Sequence, residues 1–294
     1  MLVIGIMTTF RNETNLKTVD SHVHFWDLEL LEYKWLLQES AIRRTYLPSD
    51  FFEAASGCKI HKLLFVQADC LPSQGLNEVE WVTELSVAEK RIAGIIAHAP
   101  VENELLLNST LESLSRMELV CGIRRILQSE VLGFGTQTAF IEGVQNLERF
   151  GFTFDICVHH TQLADMVELV SRCPGVNFIL DHLGKPDIKS QKFQPWKDNI
   201  ANLSECANVY CKLSGLATEA DMDAWRTSDF VPYIEHALEC FSTQRVMFGG
   251  DWPVSTLAIT YQQWYEVLLD CLSHLDQSEL DCIFRRNAEA VYRI

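Results

Sequence analysis

The stretch Val19-Asp20-Ser21-His22-Val23-His24-Phe25-Trp26 reads as a strand that ends in two histidines one residue apart. Side chains on a strand alternate faces, so residues i and i+2 point the same way. His22 and His24 therefore aim at one place, just where the strand runs out. Two imidazoles meeting at a strand end suit a metal ion or a polarised water. With 9 histidines in 294 residues such a pair also arises by chance. The weight therefore falls on what the remaining strands bring to the same end.

Counting from 17–22, eight short β-rich runs follow one another; the others are 62–67, 92–97, 120–126, 153–158, 176–182, 208–213 and 245–250. Most are near-continuous apolar runs, as in strands buried on both faces. Amphipathic helical stripes lie between them: Phe140, Val144 and Leu147; Leu163, Met166, Val167 and Val170; Trp196, Ile200 and Leu203; Phe230, Ile234, Ala237 and Phe241. Residues 28 to 60 are less regular and read as a loop with a short helix. The strand ends fall near 24, 67, 98, 125, 159, 182, 214 and 251. Their mean spacing, (251 − 24)/7, is ~32 residues, the size of a βαβ unit. Eight such units predict a single-domain (β/α)8 TIM barrel over 17–294. No Gly-x-Gly-x-x-Gly follows the first strand to support an open doubly wound sheet instead. Pro72, Pro100, Pro186 and Pro253 each sit a few residues past a strand end, where a residue without an N–H belongs.

Composition narrows the function. The chain is 48% hydrophobic and 22% charged, with a net charge of −16. That charge argues against nucleic acid or an anionic membrane as partner and favours solubility; the expectation of a small-molecule substrate comes from the motifs below. The 10 cysteines are scattered without a Cys-x-x-Cys pair, which reads as reduced core residues and a cytoplasmic location. Met1 to Met7 is apolar but too short, and without the flanks, for a signal peptide or membrane span. Residues 1–16 read as an N-terminal extension outside the core fold. Whether the chain forms a homo-oligomer is left open.

In a barrel, side chains at strand C-termini meet across the top. His22 and His24 come from the first strand, and Arg124 or Arg125 from the fourth, since only one of two neighbours faces inward. His159 follows the fifth, His182 ends the sixth, and Asp251 ends the eighth. Each alone has an ordinary structural explanation. Together they fall at corresponding ends of the predicted strands, where unrelated residues would scatter.

These residues sit in motifs that resemble the amidohydrolase superfamily, in particular its sugar-lactonase branch. That branch includes enzymes similar to fuconolactonase, rhamnonolactonase and the pyrone-dicarboxylate lactonase. The resemblance is carried by the segments 20–27 (Asp-Ser-His-Val-His-Phe-Trp-Asp), 181–186 (Asp-His-Leu-Gly-Lys-Pro), 212–216 (Lys-Leu-Ser-Gly-Leu), 248–253 (Phe-Gly-Gly-Asp-Trp-Pro), and 283–288 (Ile-Phe-Arg-Arg-Asn-Ala) with Tyr292. It implies hydrolysis at the C-terminal face of the barrel, with His22, His24, His182 and Asp251 as catalytic residues. Two-metal members bridge their ions with a fourth-strand lysine or carboxylate. Here that strand offers only arginines, so two metals are not expected. One Zn²⁺-like ion on His22, His24 and Asp251, with His159 as a candidate further ligand, fits the resemblance. Related lactonases also work without metal, so occupancy stays open.

Lactone hydrolysis needs a base for the attacking water, a stabiliser for the oxyanion and a proton for the leaving alkoxide. Asp251 is the expected base, with His182 and the His22/His24 pair polarising the carbonyl. Arg124 is expected to bind a substrate carboxylate or hydroxyl, and Trp26 and Trp252 to wall the sugar ring. His159, Gln67, Lys185 and Lys212 are candidate polar contacts. The rival reading is a decarboxylase of an aromatic or unsaturated acid on the same barrel, which calls for a fifth-strand metal ligand. Substrate choice is expected in the loops 27–50, 126–136, 185–195 and 214–229.

Overall fold

The computed structural model describes residues 16–294. Most of the expected extension, residues 1–15, lies outside the described residues. Leu16, the last residue of that stretch, is buried against the core. Eight parallel strands pair in sequence order: β1 (Thr18–Val23), β2 (Ile60–Val66), β3 (Ile92–Ala97), β4 (Val120–Arg124), β5 (Thr153–Ile156), β6 (Phe178–Leu180), β7 (Val209–Leu213) and β8 (Val246–Phe248). The ring closes between β8 and β1. There the Asp251 N–H donates to the His22 carbonyl (2.8 Å), and the His24 N–H to the Trp252 carbonyl (2.7 Å). The molecule is a (β/α)8 barrel. The strands run shorter than the apolar runs suggest, because β5, β6 and β8 stop pairing before the mouth and hand over to loops.

Helices α1 (Pro48–Ala54), α2 (Gly75–Ala88), α3 (Glu104–Leu114), α4 (Thr138–Asn146), α5 (Leu163–Arg172), α6 (Trp196–Ser204), α7 (Thr227–Phe241) and α8 (Tyr261–Cys271) follow the strands in turn. Their buried faces are the apolar stripes of the sequence: Phe140, Ile141 and Val144 on α4; Trp196, Ile200 and Leu203 on α6; Phe230, Ile234, Ala237 and Phe241 on α7. Residues 28–60 hold two single 3₁₀ turns before α1. Two short helices, α9 (Gln277–Asp281) and α10 (Asn287–Tyr292), end the chain.

Two apolar layers result. The larger lies between strands and helices. The smaller gathers Val19, Leu64, Val66, Ile96, Ile179 and Met247 with Ala288, Val291 and Tyr292 of α10. α10 thus plugs the bottom of the barrel, and Asn287 anchors it by donating to the carbonyls of Thr243 (2.9 Å) and Val246 (2.6 Å). β1 carries an irregularity between Asp20 and Val23. Across it, Val19 packs into the inner layer, while the Asp20 carboxylate turns to α8 and accepts from the Tyr261 hydroxyl (2.7 Å). Asp20 also accepts the N–H groups of His22 and Gly250 (2.9 Å each), tying the β1 and β8 ends together. Among the described residues no helix is long and apolar enough to cross a membrane. All ten cysteines are free thiols.

Candidate active site

His22, His24, His182 and Asp251 come together at the mouth. The His22 and His24 Nε2 atoms are 3.1 Å apart. Asp251 Oδ1 lies 3.7 Å from His22 Nε2, 3.5 Å from His24 Nε2 and 3.8 Å from His182 Nε2. All four residues are buried, none above 4% exposed.

Hydrogen bonds on the far side of each ring fix what the rings present. His24 Nδ1 faces the Val66 carbonyl at 2.7 Å, which only accepts, so Nδ1 carries the proton and Nε2 a lone pair. His22 Nδ1 faces Asp181 Oδ1 at 3.2 Å, and Arg124 Nη1 donates to His22 Nε2 at 3.2 Å. The same tautomer follows. Burial pushes the pKa of both imidazoles down, in His22 well below the ordinary range. It also pushes His182 down to about 4. For Asp251 burial acts upward, yet the positive charge that His182, His24 and His22 take on when protonated holds it below the usual carboxylate range. The site is therefore an ionised carboxylate among neutral imidazoles.

Two lone pairs and a carboxylate oxygen converging in this way suit one divalent cation. Tetrahedral ligands at ~2.0–2.1 Å from zinc lie ~3.3 Å from one another, and the three spacings here run from 3.1 to 3.7 Å. His22, His24 and Asp251 fit such an ion; the fourth strand adds no bridging ligand for a second.

The loops that aim these groups are strained. Asp69, His182, Leu183, Lys185 and Asp251 all have positive φ (50° to 59°) without being glycine, a conformation that costs on the order of 1–3 kcal/mol each. Gly215 follows β7 with φ +63°, and a Cβ there would stand 2.6 Å from His182 Nδ1. Only glycine leaves His182 room to pair with Ser214 Oγ (2.8 Å).

The cavity above the cluster measures ≈ 160 Å³. Trp35, Ile126, Gln128, Lys185 and Thr218 line it from the four loops expected to set specificity, beside Asp69, Cys157 and Val254. Lys185 Nζ donates to Gln128 Oε1 (2.6 Å) at its wall. The neighbouring-arginine question resolves by contacts: Arg124 faces inward, whereas Arg125 pairs with Glu102 and Glu130 outside.

Other expected substrate contacts fall elsewhere. His159 is exposed, caps the turn before α5 and does not line the cavity, because β5 stops pairing at Ile156. Trp26 is fully buried among Tyr33, Trp35 and Tyr46, and Trp252 among Phe25, Tyr46 and Phe51. Both are packing residues, and Trp35 is the indole at the cavity wall. Gln67 is buried; its Oε1 accepts from the Asp69 N–H (2.7 Å) and its carbonyl from Arg124. Arg124, by contrast, does line the cavity: its Nη1 donates to Asp181 and His22 and its Nη2 to the Gln67 carbonyl, while its Nε has no protein partner. Lys212 is fully buried beneath the site, between Asp155 (2.5 Å) and Asp181 (3.0 Å).

Sequence reasoning assigned no role to Asp155 or Asp181. Asp155 lies within β5 and Asp181 directly follows β6, and a carboxylate in so apolar a run is the signal that marks them.

The amidohydrolase family profile matches residues 19–294. The chain is 31% identical to an L-fucono-1,5-lactonase of Burkholderia multivorans over 83% of this chain and 85% of that one. A crystal structure of an amidohydrolase from Burkholderia multivorans with bound zinc superposes with a TM-score of 0.85 at 29% identity, covering 95% of this chain and 99% of that one. A probable 2-pyrone-4,6-dicarboxylic acid hydrolase from Acinetobacter baumannii shares the fold (TM-score 0.76, 13% identity, 95% and 100% covered).

Proposed function

The chain belongs to the amidohydrolase family and is a hydrolase, and from that premise we propose that it opens the ring ester of a small lactone, a sugar aldonolactone or a close relative. The observation that carries this reading is the meeting of His22 Nε2, His24 Nε2 and Asp251 Oδ1 beside one cavity, which His24 and Asp251 line. The similarity to an L-fucono-1,5-lactonase supports the substrate class. A cavity of ≈ 160 Å³ with polar groups on an apolar wall suits the single ring of such a lactone.

In this reading His22, His24 and Asp251 hold one divalent ion, with zinc favoured by the zinc-bound relative. Such an ion supplies Lewis acidity and lowers the pKa of water. Asp251, ionised at neutral pH, takes the proton of the attacking water and returns it to the ring oxygen as the ester opens. His182, neutral and held by Ser214, offers Nε2–H to the oxygen that gains charge. Lys185, Gln128 and Thr218 hold the ring hydroxyls, and Trp35 packs against its apolar face. His159, exposed and off the cavity, gives no fifth-strand ligand and so weighs against the decarboxylase reading.

The test is a pH-indicator screen of sugar lactones with the zinc-loaded protein. Acid release from at least one aldonolactone, above the spontaneous rate, is the expected result. Carbon dioxide release from aromatic acids with every lactone untouched would overturn the proposal.

A further inference from the structure

Under the site, inside the barrel, lies a run of buried charges that hydrolysis does not by itself require. The Tyr292 hydroxyl, at the end of α10, donates to Asp155 Oδ2 (2.7 Å). Lys212 Nζ reaches the same oxygen at 2.5 Å and Asp181 Oδ1 at 3.0 Å. Asp181 Oδ1 then meets His22 Nδ1 at 3.2 Å, while its Oδ2 accepts from Arg124 at 3.1 Å. Lys212, Asp155 and Asp181 have no exposed side-chain surface. Two cations and two carboxylates balance, so the layer is neutral as a whole. An apolar filling is the usual content of a barrel interior, and a buried ionic layer is weak ground for stability alone. Its geometry has a more specific consequence.

His22 has two hydrogen-bonding options at Nδ1. Asp181 is an acceptor there, but Lys212 Nζ is only 3.3 Å away and is a donor. If the ammonium won, the His22 proton would be driven to Nε2, against the Arg124 Nη1 donor at 3.2 Å, and the lone pair would leave the site. Lys212 stands closer to two carboxylates, Asp155 and Asp181, than to the ring, and its ion pair with Asp181 keeps that carboxylate beside His22. We propose that Lys212, held from below by Asp155 and Tyr292, is a positioning residue that fixes the tautomer and aim of His22 through Asp181. The inference rests on the reading of His22 as a ligand of the proposed site. It makes the C-terminal turn, at the opposite end of the barrel from substrate, part of the machinery that prepares the mouth.

The experiment compares the full-length protein with Lys212→Met, with the charge-balanced Lys212→Met/Asp155→Asn pair, and with Tyr292→Phe. Long-range ¹H–¹⁵N spectra of histidine-labelled, metal-free protein read the His22 tautomer, and chelator competition with zinc alone reads affinity. Wild type should show the Nδ1–H form of His22 as the single species. The two Lys212 variants should show a mixture, with zinc affinity about tenfold lower, the scale of losses from outer partners of metal-bound histidine. Tyr292→Phe, which keeps the ring packing, should move both readouts in the same direction by less. If Lys212→Met does not fold, the other two variants decide. A wild-type tautomer in the folded Lys212 variants, or in Tyr292→Phe where those do not fold, would overturn the inference. These readouts need no substrate, so a protein that opens no lactone but shows the tautomer change would sink the functional proposal and leave this one standing.

Discussion

At the scale of the residue, the two indoles nearest the histidine pair show how contacts decide a role that sequence leaves open. Trp26 follows the pair directly, yet it is enclosed by Tyr33, Trp35 and Tyr46 and donates to the Arg44 carbonyl (2.6 Å). Trp35, in the irregular loop, reaches the cavity and is braced by its N–H on the Ala68 carbonyl (2.8 Å). Trp26→Ala should therefore cost about 3–5 kcal/mol in stability, as large buried aromatics do, measured by urea unfolding. Trp35→Phe should raise KM severalfold while the urea midpoint stays close to wild type. The reverse pattern would return Trp26 to the substrate wall. The sequence showed His22, His24, His182 and Asp251 at strand ends because strand ends are set by position alone. It could not separate Trp26 from Trp35, because that depends on how a long loop folds back over its own barrel.

At the scale of the element, the second strand-to-helix junction clasps the first loop. Glu78 on α2 is fully buried, and its Oε1 accepts from the Ala68 N–H (3.1 Å) and the Tyr33 hydroxyl (3.3 Å). Its other oxygen has no partner. Burial lifts the Glu78 pKa from 4.5 to about 7. A carboxyl whose folded pKa is raised binds its proton more tightly in the folded state. Its contribution is full below pH ~4.5 and is lost as pH rises to about 7. Glu78→Gln should therefore flatten the fall in stability between those pH values, read from urea midpoints across the range. An unchanged pH slope would mean the carboxyl is already ionised in the folded protein. The elements themselves were largely legible: apolar runs gave eight strands and stripes gave the helices. The ends of β5, β6 and β8 were not, because an apolar stretch continues past the point where pairing stops. That overrun is why His159 was read at the mouth, whereas the chain has already turned outward at 160 to 162.

At the scale of the whole molecule, closure of the ring turns scattered residues into one site. The bonds that join β8 to β1 run through the backbones of His22, His24, Asp251 and Trp252 themselves, so the seam of the barrel and the His/Asp cluster are the same place. The spacing of about thirty residues foretold a closed barrel, and with it the mouth. The charged interior was harder to foresee, since nothing local tells whether Asp155 or Lys212 points into a barrel or out of it. The central claim is that Asp251 works there as the base on water held against His22 and His24. Its most direct test is the steady-state kinetics of Asp251→Asn on the best lactone found, beside wild type at matched zinc. The account predicts a kcat lower by roughly two to four orders of magnitude, the range of a general-base contribution. Turnover near the wild-type rate in a folded Asp251→Asn protein would contradict it.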